Sequence, residues 1–302
     1  MFELRKIETF DLPELQPYAT MRRSIDHERQ GIFVAEGTKV VRRLLESRFE
    51  LVSVLLPEKW VDSFRPLLET RPETFPVFVA EKKLLEKLTG FSMFQGVLAV
   101  GRIPARPTLE SLLDAAPRPR LLAAVEGLTS AENLGALVRN CAAFGVHGLV
   151  VGESSSSPFL RRAVRNSMGT IFQLPVFELP RTAPIPPAGN SWTEGPDQDV
   201  VLAPPPHAAS PGLAAALRQL RAQGVRCVAA HPRADGRTLA GTDFSGDCCV
   251  VFGSEGFGIS EDVLAACDDA VAVPMAPGVD SLNVAAAAAV FLYEIRRQRG
   301  QG

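Results

Sequence analysis

The sequence predicts an α/β protein of two domains, and three observations carry that prediction. Apolar runs of strand length alternate with helical patterns along most of the chain. The length, 302 residues, suits two cores better than one. The character of the strands changes near residue 120, just after a stretch with four prolines.

Residues 1–101 read as a small α/β domain. In "GTKVVRRLLES" the spacing of Val40, Leu44 and Leu45 predicts a helix, with Arg42 and Arg43 on its polar side. "LVSVLLP" at 51–57, "FPVFVAE" and "QGVLAVGR" at 95–102 predict strands. Residues 102–120, proline-rich around a short helix, are expected to be a linker.

From Leu121 the strands become continuously apolar, as in a parallel sheet covered on both faces. "RLLAAVEG" predicts a strand, "ENLGALVRNCAAFG" a helix ending at Gly145, and "HGLVVGE" a strand. "SPFLRRAVRNSMG" predicts a helix carrying Arg161, Arg162 and Arg165, and "FQLPVFE" a strand. "GLAAALRQLRAQG" and "VRCVAAHP" give the next helix and strand. "DCCVVFGSEGFGIS" is a strand running into a glycine-rich loop, followed by the helix "EDVLAACD". "AVAVPMA" is expected to be the final strand, before an alanine-rich helix. Residues 121–298 should therefore form an open parallel sheet with helices on both faces. Residues 180–212, dense in Pro, Gly, Ser and Ala, interrupt the rhythm and are expected to be a surface insertion.

Composition narrows the function classes. The chain is 46% hydrophobic and 22% charged with a formal charge of −2, so it has no global basic footprint for nucleic acid. Five cysteines, an odd number without a CxxC pair, and no recognisable signal peptide lead us to expect a reduced, cytoplasmic protein. No apolar stretch looks fit to span a bilayer. The four histidines lie in no ligand-like spacing, so no metal is expected. No GxSxG elbow is present, and Cys141 falls inside a helix as a buried residue would.

Three loops remain, each at the carboxyl end of a predicted strand, where open α/β sheets place ligands. In "EGLTSAENLGALVRN", Glu126 ends its strand, Asn133 stands near a helix start, and Arg139 follows six residues on. Taken singly, Asn133 reads as a cap and Arg139 as solvated surface. In "GSEGFGIS", Gly253, Gly256 and Gly258 allow close backbone approach to a ligand, in a spacing that matches neither GxGxxG nor a P-loop. Glu255 within it would repel phosphate and suit a cationic ligand or an arginine. In "VPMAPGVDSLNVAAAAAV", Ser281 and Asn283 precede five alanines, a poor core filler but a good surface for close approach.

Together and in this order, the loops resemble the SpoU family of RNA ribose 2′-O-methyltransferases, in the SPOUT superfamily. Asn133, Gly135, Arg139 and Gly145 are similar to its first motif. Gly253, Glu255, Gly256 and Gly258 are similar to the second. Val273, Pro274, Met275, Ser281, Leu282, Asn283 and Val284 are similar to the third, and Ser167 with Gly169 matches an intervening S-x-G. The likeness spans about 121–298. "FVAEGTKVVRRLL" and "FQGVLAV" resemble the family's small ribosomal-protein-like substrate-binding domain, with Phe94 where relatives often have His.

The resemblance implies a deep trefoil knot, S-adenosylmethionine (AdoMet) as cofactor, a homodimer, and methylation of a ribose 2′-hydroxyl in structured RNA. Ribosomal RNA is the first candidate. Transfer RNA, methylation of a base, and a non-catalytic RNA-binding relative are the alternatives. Arg139 would clamp phosphate and polarise the hydroxyl, or act as base. Asn133 and Ser281 would orient it or the ribose. Glu255 would hold Arg139 or face the sulfonium, and Asn283 would shape the site. Gly253, Ser254, Gly256, Gly258 and Ile259, with Val273, Met275, Ser281 and Leu282, would hold the cofactor. RNA would meet Arg22 and Arg23, Arg42 and Arg43, and Arg161, Arg162 and Arg165.

Overall fold

The computed structural model describes residues 2–89, 96–181, 210–232, 237–254 and 256–300. In chain order the elements begin with β1 (Phe2–Ile7), α1 (Gln16–Ala19), α2 (Ser24–Arg29), β2 (Ile32–Glu36) and α3 (Thr38–Glu46). There follow β3 (Leu51–Leu56), α4 (Val61–Glu69), β4 (Phe75–Ala80), α5 (Lys82–Thr89) and β5 (Leu98–Arg102). Next come α6 (Leu109–Ala115), β6 (Leu121–Val125), α7 (Ala131–Ala143), β7 (Gly148–Val151), α8 (Arg161–Asn166) and β8 (Val176–Glu178). The chain closes with α9 (Pro211–Ala222), β9 (Arg226–Ala230), β10 (Cys248–Phe252), α10 (Glu261–Ala266), β11 (Asp269–Val271) and α11 (Val284–Gln298). No helix among the described residues is long and apolar enough to cross a membrane.

Two compact units result. The first gathers Met1–Ala105 and, from much later in the chain, Phe159–Phe172. Its sheet runs β1-β4-β3-β5-β2, with β1, β4 and β3 parallel and β5 antiparallel to both its neighbours. The helix read at Thr38–Glu46 buries Val40, Val41, Leu44 and Leu45, the apolar stripe that its spacing predicts. Tyr18 is wholly buried, and its hydroxyl meets Ser53 Oγ at 2.7 Å, so the polar tip is satisfied. Phe33, Phe49, Phe159 and Phe172 form a ring cluster with centroids 5.3–6.0 Å apart. That cluster seats the Phe159–Phe172 segment. A Cβ on Gly101 would stand 2.5 Å from the Phe33 ring, so only glycine fits beneath it.

The second unit gathers the described residues of Arg106–Pro158, Gln173–Pro184 and Val201–Gly302. Its sheet runs β11-β9-β10-β6-β7-β8, every pair parallel. The central strands β6 and β10 are buried at all five positions, which is why both read as unbroken apolar runs. Alternate residues split between the two faces. Leu122, Ala124, Cys249 and Val251 face a core filled by Leu109, Leu112 and Leu113 of α6, Leu213, Leu217 and Leu220 of α9, and Val263 of α10. On the other face Phe252 meets Phe291 of α11 edge to face at 5.9 Å.

Two stretches differ from their sequence reading. The expected linker at 102–120 holds α6, whose three leucines lie in the core of the second unit. The short helix read between the prolines is amphipathic, and its apolar side belongs to a core rather than to a tether. The final strand is shorter than expected: β11 ends at Val271, and Val273–Met275 run on as loop. Of the insertion at 180–212, residues 182–209 lie outside the described residues.

Candidate active site

The site lies in the second unit, at the carboxyl ends of β6 and β10. Val125 and Phe252 are register partners, so Glu126 and Gly253 leave the sheet side by side. The Glu126 N–H donates to Phe252 O at 2.9 Å.

The glycine loop closes on itself. Ser254 N–H donates to Gly258 O at 3.1 Å, Gly258 N–H returns to Ser254 O at 2.9 Å, and Phe257 N–H donates to Ser254 Oγ at 3.1 Å. At the neck, a Cβ on Gly253 would stand 2.3 Å from the carbonyl carbon and oxygen of Gly258. The main chain passes itself so closely that no side chain is possible there. Gly256, Phe257 and Gly258 are exposed, so the loop's backbone is open to a ligand, and Gly258 adopts φ +70°. Ile259 is buried beneath the loop. Glu255 lies outside the described residues.

The first and third motifs meet. Asn283 is the N-cap of α11: its Oδ1 accepts the N–H groups of Ala285 at 3.0 Å and Ala286 at 3.4 Å. Its Nδ2 donates to Asn133 Oδ1 at 3.1 Å. Both ends of the amide are engaged, which fixes its orientation. Asn133 itself is not a cap. Ser130 caps α7, accepting Asn133 N–H at 3.2 Å, and so frees the Asn133 side chain for Asn283. Two turns further along α7, Asn140 Nδ2 donates to Ala285 O at 2.6 Å, locking α7 against α11.

Arg139 lies on α7, six residues and about 9 Å along the axis from Asn133. It is exposed, and no described side chain bonds or pairs with it. Ser281 and Leu282 are exposed before α11, while Val273 and Met275 are half-buried. The structure thus joins Asn133 to Asn283 and leaves Arg139 and Ser281 open to solvent. Cys141 is fully buried, and burial pushes its thiol up to about 12, which removes it as a nucleophile.

The alanine helix has two apolar sides. Ala285, Ala288, Phe291, Leu292 and Ile295 are buried. Ala286, Val290 and Tyr293 are exposed along the other side, Val290 by 40% and Tyr293 by 55%.

All seven arginines expected to meet RNA belong to the first unit. Several are engaged there. Arg161, whose side chain is 12% exposed, and Arg165 both pair with Glu36. Arg43 donates to Met168 O at 2.7 Å, and Arg42 stacks over Phe64 at 4.5 Å. Arg23 is exposed, Arg22 and Arg162 half-buried. The S-x-G pair is a tight turn of the same unit: Ser167 Oγ accepts Gly169 N–H at 3.1 Å, and Gly169 takes φ +79°. Sequence inspection missed two participants. Ser130 was hidden by the nearby asparagine, and Asn140 carries no local signal of its tie to a residue 145 positions away.

Loops of this kind at the carboxyl ends of a wholly parallel sheet stand where open α/β proteins bind ligands. The SpoU rRNA Methylase family model matches residues 120–185 and 206–293, just over half of the chain, and the chain belongs to that family. It is 30% identical over 276 residues to an uncharacterized tRNA/rRNA methyltransferase of Mycobacterium bovis, covering 89% of this chain and 82% of that one. The crystal structure of the SpoU methyltransferase AviRb from Streptomyces viridochromogenes is similar with a TM-score of 0.73 and 26% identity, over 95% of this chain and 97% of AviRb. AviRb has also been solved in complex with the cofactor AdoMet. A structure described as an RNA 2′-O ribose methyltransferase shares the fold, with a TM-score of 0.72 at 22% identity over 98% of this chain and 99% of that one.

Proposed function

We propose that this protein methylates a ribose 2′-hydroxyl in structured RNA, with AdoMet as methyl donor and rRNA as the first substrate class to try. The observation that carries the reading is the Asn133–Asn283 bond. It joins two motifs 150 residues apart at the adjoining ends of α7 and α11. Family membership supplies the reaction class.

The loop suits AdoMet. Its neck admits no side chain at Gly253, and the exposed backbone of Gly256 and Gly258 can meet adenosine closely, with the Phe257 ring exposed between them. Gly253–Ile259, with Val273, Met275, Ser281 and Leu282, would hold the cofactor. AdoMet supplies an electrophilic methyl group on a sulfonium. The chain's task is to orient the 2′-oxygen and ease loss of its proton. Arg139 does this as an open guanidinium: it clamps the neighbouring phosphate and polarises the hydroxyl. A guanidinium keeps its proton in ordinary settings, so the clamp asks less of it than a base role. Asn133 and Ser281 orient the ribose, and Asn283 holds Asn133 while capping its own helix. Glu255 would face Arg139 or the sulfonium.

The exposed apolar side of α11, with Leu282 38% exposed nearby, supports a homodimer. The trefoil knot is carried over from the family resemblance alone. The first unit serves as the RNA-binding domain, with Arg23 exposed and Arg22, Arg42, Arg43, Arg162 and Arg165 as further candidates; Arg161 is too enclosed to serve.

The test is methyl transfer from labelled AdoMet to undermethylated total RNA, with rRNA and tRNA separated and digested to nucleosides. Label in a 2′-O-methylated nucleoside from rRNA is expected. Label in tRNA moves the substrate class, and label in a methylated base overturns the ribose chemistry.

A further inference from the structure

Glu126 was noticed in the sequence only as the end of a strand. In the structure it is 4% exposed, and its carboxylate grips a single residue with both oxygens. Oε2 accepts Ser260 N–H at 2.8 Å, and Oε1 accepts Ser260 Oγ–H at 2.6 Å. Ser260 sits at the N-cap position of α10, yet its hydroxyl makes no bond to that helix; it turns to Glu126 instead. Ser260 is also the first residue beyond the glycine loop. The loop is therefore fixed at both ends: at Gly253 by the sheet and the backbone crossing, at Ser260 by Glu126.

The same residue leads into the first motif. Gly127, at φ +64°, approaches Ser254, where an added Cβ would lie 3.5 Å from the serine Cβ. Gly127 and Leu128 donate their N–H groups to Ser154 Oγ at 3.0 Å and Ser155 Oγ at 3.2 Å. The chain then reaches the Ser130 cap and Asn133. A buried carboxylate is costly unless its lone pairs are met, and here both bonds come from Ser260, the residue that ends the loop.

We propose that Glu126 is a positioning residue: acting through Ser260, it holds the 253–259 loop in the shape that binds the methyl donor. This rests on reading the loop as the AdoMet site. Glu126→Ala strands both Ser260 donors. Glu126→Gln can restore both bonds, its carbonyl accepting the N–H and its amide donating to the hydroxyl oxygen.

The test titrates AdoMet calorimetrically into each variant and measures KM for AdoMet and for RNA separately. Glu126→Ala should weaken AdoMet at least tenfold, with KM for RNA within twofold. Glu126→Gln should stay within threefold of the parent. If Glu126→Ala binds AdoMet normally, the proposal fails. It also fails if Glu126→Gln loses as much as Glu126→Ala, because then the charge acts on the ligand directly. Should Glu126→Ala not fold, Ser260→Ala carries the test: about threefold weaker AdoMet is expected, and unchanged binding overturns the idea. Hydrogen exchange of residues 253–260 separates this from the functional reading. A parent protein that ignores AdoMet sinks that reading, while faster exchange confined to 253–260 in the variant still upholds the positioning role, and unchanged exchange refutes it.

Discussion

Arg71 in the first unit and Arg139 in the second are the same side chain in opposite circumstances. The Arg71 side chain is 7% exposed, and its donors are filled. It bonds the carbonyls of Leu45 at 3.0 Å, Ser47 at 2.6 Å and Phe49 at 2.6 Å, and pairs with Glu73. Glu73 in turn accepts Leu51 N–H at 2.8 Å. Burial alone would raise the Glu73 carboxyl, but the Arg71 and Leu51 bonds outweigh it and hold it below the ordinary range. Arg139 has none of this: it is exposed, with no described partner. The difference teaches that a guanidinium becomes structural when backbone carbonyls and a carboxylate together fill its donors. It stays available for chemistry only where the fold leaves them empty.

That contrast can be broken from either side. Arg71→Met should give the largest effect on stability, about 2–4 kcal/mol, because it abandons a half-buried carboxylate and three carbonyls. Thermal melting reads the loss, and methyl transfer per folded molecule should be unchanged. Arg139→Ala should do the reverse. The melt should move by no more than about 0.5 kcal/mol, as for a surface change, while kcat/KM falls about 100-fold, or ~2.7 kcal/mol. Transfer that survives Arg139→Ala would remove it from the site. A smaller effect sharpens the picture of the first unit. His27 is 4% exposed, and its pKa is lowered, chiefly by burial, with Arg161 adding to that and Asp26 and the Pro17 carbonyl opposing it. The unfolded imidazole takes a proton near pH 6.5 and the folded one resists it. The His27 contribution is therefore complete above about pH 7 and declines as pH falls through 6.5. Urea midpoints at pH 7.5 and 5.5 should show this slope, and His27→Gln should flatten it.

Much of the second unit was legible in the sequence because its information is local. Strands buried on both faces announce themselves as apolar runs, as "LLAAV" and "CCVVF" do. The three loops were found because strand ends in an open α/β sheet are known ligand positions. What stayed hidden depended on partners far along the chain. Arg161 and Arg165 looked like a basic patch, since nothing near them discloses Glu36, at least 125 residues earlier. The edge strand β1 escaped notice because "FELRKI" mixes charge with apolar residues and earns its place only by pairing with β4. Asn133 passed for a cap because Asn and Ser are both good caps, and only the geometry of α7 chooses between them.

The strand order of the second unit bears on how the protein is made. β10 lies between β9 and β6, two strands that precede it in the chain and never touch each other. A nascent chain halted before Cys248 would leave β6 open on the side away from β7, and β9 without either of its partners, β10 and β11. Residues 248–252 close that gap only when most of the protein has left the ribosome. Synthesis thus passes through an interval, from Ala230 to Phe252, in which β9 exists and has no strand to pair with. Chaperone dependence and aggregation during expression should concentrate in that interval.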